Sequence, residues 1–300
     1  MPFGGIIVPD ALGRLAVVST PIGNLGDLST RARDELAAAD VIAAEDTRRT
    51  GQLLTTLGLS RPLASLHEHN ERERIPELLA RMLQGARVAL VSDAGTPLLS
   101  DPGFELVRQT AAAGIAVIAV PGPSAITAAL SIAGLPTERF SFEGFLPARL
   151  AERRSRLAVL AQEPRTLVFF EAPHRIVETL DDCSAAFGPL RRAAVARELT
   201  KVFETVYRGS LADLVAMAAA DANFARGEIT VVVAGAPVLT DDARVADELR
   251  STLSVLLAEM SASKAAALAA RLTGAKRNDA YALALVLAEE ATRTRDLERQ

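Results

Sequence analysis

Ser92, Asp93 and Thr96 stand with Ala94 and Gly95 in one short loop, Val91-Ser92-Asp93-Ala94-Gly95-Thr96-Pro97. Two hydroxyls, a carboxylate and the free amides of a glycine turn suit the carboxylate and ammonium of an amino-acid-like ligand at close backbone approach. Such a loop is equally a plain tight turn. Glu45-Asp46-Thr47-Arg48 offers either two carboxylates for proton transfer or a helix cap with its own ion pair. His67-Glu68-His69-Asn70-Glu71 puts two histidines on one side of an extended segment, but no third histidine lies nearby, so no metal is expected. His174, at a helix start, is undecided between a helix-end residue and a pocket group. No nucleophile-histidine-acid set can be read from chain order, since such sets are defined by geometry. Neither G-x-G-x-x-G nor G-x-x-x-x-G-K-[ST] occurs, which disfavours a nicotinamide turn and a P-loop.

These loops need elements that bring them together. Arg87–Val91 is a bounded apolar run that reads as a buried strand, and Pro102 with Phe104–Ala113 reads as the helix after the central loop. Ser19-Thr20-Pro21-Ile22-Gly23-Asn24 follows a strand at Leu15–Val18. The Glu45 loop follows Val41–Ala44, and Pro121-Gly122-Pro123-Ser124-Ala125 follows Ile115–Val120. Parallel strands place their carboxyl ends at one edge of a sheet, where ligands bind, so these loops should converge on one crevice.

The rhythm of strand, loop and helix predicts a mostly parallel sheet with helices on both faces over residues 14–133. Its helices are expected at Leu28–Ala39 with Asp27 as cap, Thr50–Leu57, Arg72–Gln84 and Ser124–Ala133, with a short strand at Pro62–Leu66. Gly134-Leu135-Pro136-Thr137 breaks the rhythm and is taken as a domain boundary. Residues 134–236 read as mixed α/β, with strands at Phe140–Phe145, Thr166–Phe170, Arg192–Arg197, Phe203–Arg208 and Ile229–Ala234. Helices are expected there at Leu150–Ala161, Pro173–Ala186 and Leu211–Ala220. Residues 237–300 read as helices only, Val245–Met260, Ser263–Leu272 and Arg277–Ala291. They form either a helix-turn-helix or a dimerising bundle, and Lys264, Arg271, Lys276 and Arg277 fit a solvated face as well as a nucleic-acid contact. Residues before Arg14 read as a loose tail.

The 300 residues allow about two domains. Hydrophobic residues make up 49% but aromatics only 4%, so the core must be aliphatic and Ala-rich, as parallel sheets under helices require. A net charge of −4 excludes nucleic-acid coating by bulk charge and leaves room only for a local basic rim. One cysteine, Cys183, excludes an internal disulfide and reads as a small buried hydrophobe. No basic leader precedes the first apolar stretch and no apolar run reaches the roughly 20 residues a bilayer requires. A soluble, cytoplasmic protein without membrane contact is the expectation.

Taken together, Thr20-Pro21-Ile22-Gly23-Asn24-Leu25, Ala44-Glu45-Asp46-Thr47-Arg48, His67-Glu68-His69-Asn70-Glu71, Ser92-Asp93-Ala94-Gly95-Thr96-Pro97, Ser100-Asp101-Pro102-Gly103, Pro121-Gly122-Pro123-Ser124-Ala125 and Glu143-Gly144-Phe145-Leu146-Pro147 form a specific set. Phe170-Glu171-Ala172-Pro173-His174-Arg175 and Ala196-Arg197-Glu198-Leu199-Thr200-Lys201 extend it. On these stretches the chain resembles the tetrapyrrole-methylase-like (class III) S-adenosylmethionine methyltransferases, from about Leu15 to Ala234. Within them it is similar to the bacterial branch that methylates the ribose 2′-hydroxyl of a decoding-centre cytidine in 16S ribosomal RNA of the small ribosomal subunit.

The resemblance implies two α/β domains with S-adenosyl-L-methionine in the cleft between them, usually in a homodimer. It implies that Ser92, Asp93, Ala94, Gly95 and Thr96, with Pro121, Gly122, Ser124 and Ala125, hold the methionine and ribose parts, Pro21 beside them. Phe170, Glu171, Ala172, Thr230 and Val231 would approach the adenine. The implied chemistry is in-line attack of a ribose hydroxyl on a sulfonium methyl, which needs alignment and a proton acceptor. Glu45, Asp46 and His69 are the candidate bases and Lys201 the charge stabiliser. Asn24, Arg48, Arg149, Arg153 and Arg197 are the candidate RNA contacts, and Phe142, Phe145, Phe169 and Phe170 could stack a flipped base. A same-fold enzyme acting on a tetrapyrrole or other small molecule, and a non-catalytic RNA- or ribosome-binding protein, are the alternatives.

Overall fold

A computed structural model of the chain describes residues 13–237 and 241–297; all but Gly13 of the expected N-terminal tail lies outside them. Strands β1 (Arg14–Val18), β2 (Val41–Ala44), β3 (Leu63–Ser65), β4 (Arg87–Val91) and β5 (Ala116–Val120) form a wholly parallel sheet in the order β3-β2-β4-β1-β5. The pleat alternates the strand side chains between two cores. Leu15, Val41, Ala43, Val88 and Leu90 pack against helices α3 (Glu71–Leu83) and α4 (Phe104–Ala112). Ala16, Val18, Ile42, Ala44, Ala89 and Val91 pack against α1 (Thr30–Ala38) and α2 (Thr47–Thr56). Burial on both faces explains why β2 and the inner residues of β4, 88–91, are unbroken runs of Ala, Val, Leu and Ile.

Local hydrogen bonds move several helix starts from their expected positions. Leu25–Asp27 form a 3-10 turn capped by Asn24, and the Ser29 hydroxyl accepts from Ala32 N at 3.1 Å, so α1 is capped by Ser29 rather than Asp27. The Asp46 carboxylate accepts from Arg48 N at 2.8 Å and starts α2 at Thr47, three residues early. Helix α4 begins at Phe104 behind Gly103, so Pro102 precedes it instead of opening it.

Strands β6 (Phe140–Phe145), β7 (Thr166–Glu171), β8 (Arg192–Arg197), β9 (Thr205–Ser210) and β10 (Ile229–Val233) form a second sheet, ordered β6-β7-β10-β8-β9. Only β6 and β7 run parallel, so this sheet is mixed. One face carries Leu167, Phe169, Val195, Val231 and Val233 against α6 (Leu150–Leu160), α7 (Ile176–Phe187) and α8 (Leu211–Ala220). Helix α7 starts three residues later than expected, after the Pro173-His174-Arg175 turn.

The other face is covered from within the first half of the chain. Helix α5 (Ala125–Ala133) lays Ile126, Ala129, Leu130 and Ala133 on Val168, Ala194, Ala196 and Val232. Small alanines on both partners let helix and sheet approach closely, and Arg208 adds bonds to the Ile132 carbonyl. The two sheets thus belong to one compact unit that ends at Ala236. A second unit from Pro237 holds α9 (Asp241–Glu259), α10 (Ala262–Thr273) and α11 (Arg277–Leu297) around Leu249, Leu253, Ala265, Ala269, Ala280 and Ala284. No helix among the described residues is long and apolar enough to cross a membrane.

Candidate functional site

The loops after β1, β2, β4 and β5 are tied to one another. Thr20 N donates to Gly95 O at 2.9 Å and Gly95 N returns the bond to Thr20 O at 3.0 Å. Thr96 Oγ1 donates to Pro123 O at 3.1 Å and lies 2.9 Å from Ser19 Oγ, which must then be the donor of that pair. Asp93 accepts from Asp46 N at 3.0 Å and pairs with Arg49 at 3.2 Å. The expected convergence on one crevice is therefore built from these bonds.

The crevice opens into a cavity of about 380 Å³, within the range of roughly 300–1,000 Å³ usual for small-molecule and cofactor sites. Of the residues named for the cofactor, Ala94, Gly95, Thr96, Ser124, Ala125, Phe170, Glu171, Ala172 and Thr230 line it. Pro21, Ser92, Asp93, Pro121 and Gly122 do not line it. Ser92 is 4% exposed and donates to Ala94 O, while both Asp93 oxygens are spent on the β2 loop and α2. Val231 is a correction: it is fully buried in the core under α6–α8 and does not line the cavity, which Thr230 meets.

The wall is apolar and acidic. Ile22, Leu99, Ile126, Phe145, Leu199 and Ile229 join it, with the carboxylates Asp101, Glu171 and Glu228 and no lysine or arginine. Glu171 is closed off by Thr179 Oγ1 at 2.6 Å, Ala172 N at 2.8 Å and the Arg175 guanidinium at 3.3 Å. Asp101 is different. Burial, reinforced by Glu45 and Asp93 and opposed by the Ser92 hydroxyl, pushes its carboxyl up to about 6. An apolar slot with the Asp101 carboxylate in its wall suits a ligand that carries positive charge. At Gly95 the backbone sits at φ +82°, where an added Cβ would approach Ile22 Cγ2 to 3.2 Å, so the turn is shaped for close approach of a ligand. These residues fit S-adenosylmethionine.

The candidate bases separate in the structure. Asp46 caps α2 and is held down to about 2 by the Arg48 side chain and amide, which makes it a poor proton acceptor. Glu45 is raised by burial and by Asp93, and stands beside Asp101 rather than in the cavity wall. His69 is exposed, with an edge contact to His67 at 6.0 Å, and does not line the cavity. Burial works against the Lys201 ammonium, but Glu198 at 2.8 Å and Glu228 at 3.3 Å outweigh it and raise its pKa. Lys201 remains a cation next to the cavity-lining Glu228.

Among the RNA candidates, Arg149 and Arg48 are exposed, with side chains 83% and 88% accessible. Asn24 is spent on the 3-10 turn. Arg197 is buried and donates to Phe203 O at 3.2 Å on the edge of a separate hollow with Tyr207 and Arg226. Arg153 contradicts its expected role: it is 2% exposed and bonded to Asp182 at 2.7 Å between α6 and α7. Asp101 was not singled out beforehand, although Ser100-Asp101-Pro102-Gly103 lies in the same loop.

Gly95→Val should weaken S-adenosylmethionine binding at least about tenfold, since a β-branched residue at positive φ is strained and its side chain meets Ile22. Calorimetric titration checks this, and unchanged affinity would remove Gly95 from the site.

Fold and cavity define a two-sheet α/β protein with a nucleoside-sized cleft. Residues 14–215 match the family model Tetrapyrrole (Corrin/Porphyrin) Methylases, and residues 243–288 match RsmI C-terminal HTH domain. The chain belongs to the tetrapyrrole methylase family and is an S-adenosylmethionine-dependent methyltransferase. It is 54% identical over 269 residues to Ribosomal RNA small subunit methyltransferase I of Xylella fastidiosa strain Temecula1, covering 90% of this chain and 98% of that one. It is 53% identical over 273 residues to the protein of that name from Pseudomonas aeruginosa, covering 91% and 97%. Uroporphyrin-III-C-methyltransferase from Thermus thermophilus superposes with TM-score 0.54 at 22% identity over 74% of this chain and 94% of that one. The methyltransferase CobJ gives 0.57 at 22% over 75% and 95%. These last two establish the fold.

Proposed function

We propose that this enzyme methylates the ribose 2′-hydroxyl of a decoding-centre cytidine in 16S ribosomal RNA of the small ribosomal subunit. The observation that carries the reading is the near full-length match to relatives named for small-subunit ribosomal RNA methylation. S-adenosylmethionine supplies an electrophilic methyl group when bound. The chain's own task is to fix the hydroxyl in line and accept its proton, and alignment alone is worth on the order of 7–11 kcal/mol in well-oriented reactions. Asp101 is the acceptor we assign. It lines the cavity, and a carboxyl titrating near 6 is both ionised and basic at neutral pH. We assign the exposed Arg48 and Arg149 to the RNA backbone, an assignment supported by their accessible guanidinium groups, which would reconcile an acidic chain with an anionic substrate. A homodimer acting in the cytoplasm completes the reading; a sedimentation mass of one chain would remove the dimer from it.

The test is transfer of labelled methyl from S-adenosylmethionine to unmethylated small subunits and to free 16S RNA, followed by mapping. Label on one cytidine ribose is expected. Label on a base, or on a small-molecule acceptor and no RNA, overturns the assignment.

A further inference from the structure

We propose that Phe145 is the platform on which the target base stacks, holding an extruded nucleobase at the cavity mouth so that its ribose hydroxyl faces Asp101. The inference rests on the ribose-methylation reading above and deepens it by naming the residue that grips the nucleotide.

Strand β6 is built to aim this ring. Phe142 pairs with Val168 and the next pairing is Phe145 with Phe170, so β6 carries one residue more than β7 over that interval. The extra residue is a β-bulge, a device that re-aims side chains beside active sites. In a regular strand Phe142 and Gly144 would share a face; with the bulge, Phe142 and Phe145 do. Both rings meet Phe170 edge-on, with centroids 4.8 and 5.7 Å away and planes at 63° and 61°. Gly144 at the bulge has φ +67°, which a side chain would strain, and an added Cβ would lie 3.3 Å from Ser100 Oγ. The bulge therefore abuts the Ser100-Asp101 segment, which sets the aromatic ring and the proton acceptor in one fixed frame.

The two neighbouring rings differ in exposure. Phe142 and Phe170 are partly buried against the α5 core, whereas Phe145 lines the cavity yet is 56% exposed. A phenyl ring braced by one aromatic neighbour and open to solvent at a cavity lip lacks a packing partner for its free surface. Any nucleobase offers a flat π-face to such a ring, and an enzyme acting on a ribose within folded RNA must unstack the base to reach it. The chain has no Trp and two Tyr to share this role.

The test uses the full-length enzyme with unmethylated small ribosomal subunits. For Phe145→Ala, Phe145→Leu and Phe145→Tyr, S-adenosylmethionine affinity is measured by calorimetry, and kcat/KM for subunits at saturating donor. Phe145→Ala and Phe145→Leu should lose about 10- to 100-fold in kcat/KM for subunits, the range of stacking losses on aromatic removal. Because Phe145 also lines the cavity lip, any loss of donor affinity should be several-fold smaller than the loss in kcat/KM measured at saturating donor, and Phe145→Tyr should recover most of the rate. A parallel loss of donor affinity assigns Phe145 to the cofactor pocket and overturns the proposal. Rescue by Leu equal to that by Tyr, or no loss in Ala, overturns it as well. Should Phe145→Ala misfold, the volume-matched Leu and Tyr variants still decide. A wild-type enzyme that fails to label a ribose refutes the underlying reading, whereas ribose labelling with indifferent variants refutes the platform alone.

Discussion

Asp101→Asn is expected to reduce methyl transfer about 100- to 10,000-fold, the usual contribution of a positioned acid or base, with donor affinity retained. The pH profile gives the sharper reading. Burial favours the neutral carboxyl and moves its titration from 3.8 to about 6, so the basic form dominates only above that pH. The wild-type rate should fall about tenfold per unit below pH 6 and level off above, and the residual rate of Asp101→Asn should be flat through that window. Stability should move the other way. The folded chain binds this proton more tightly than the unfolded chain does, so ionisation weakens folding as pH rises between 3.8 and about 6. Removing the charge at pH 8 should leave the denaturation midpoint equal or higher. Glu45→Gln removes one of the charges that raise Asp101, so it should shift the profile to lower pH without abolishing activity. A profile unchanged in Asp101→Asn would exclude it as the acceptor.

What the sequence made legible is the placement of loops, because glycine, proline and short polar residues interrupt β-branched runs wherever a parallel strand ends. Ser19, Thr20, Gly95, Thr96 and Pro123 are bonded together as that punctuation implied. Side-chain direction was less legible, although part of it was available. Val231 and Val233 share the face under α6–α8 while Val232 meets α5, an alternation that the strand period of two gives in advance. Arg153, Leu157 and Leu160 share a helical stripe at i, i+4 and i+7, which marks Arg153 as inward despite its charge. The start of α1 depended on which of two polar residues captured an amide, Ser29 over Asp27, and composition does not rank those. Asp101 became visible only when the loop after β4 was seen folded against Ser92, Asp93 and Glu45. The bulge that turns Phe145 has a trace in the sequence, Gly144 interrupting the alternation of Phe140 and Phe142 with polar residues.

Arg153→Ala should lower folding stability by about 3 kcal/mol, the lower end of the roughly 3–5 kcal/mol seen when one member of a buried ion pair is removed. Arg153 Nε donates to Asp182 Oδ2 at 2.7 Å with side chains 2% and 4% exposed, and its Nη2 reaches Glu178 at 3.4 Å. Without it, Asp182 keeps only Arg154, bonded at 2.7 Å from a side chain that is 64% exposed. That remaining partner is solvated and screened, so it offsets part of the loss. The pair ties α6 to α7 beneath the second sheet, where Leu157, Leu180 and Cys183 fill the surrounding core. A double variant, Arg153→Met with Asp182→Leu, removes both charges while keeping volume. It should recover most of the stability, because apolar pairs of similar size replace buried ion pairs at little cost. Chemical denaturation of the three proteins decides the matter. An arginine that gripped RNA phosphate would behave oppositely: Arg153→Ala would leave the denaturation midpoint unchanged and flatten the salt dependence of RNA binding. Arg149, exposed four residues earlier on the same chain, is the residue at which that salt signature is expected.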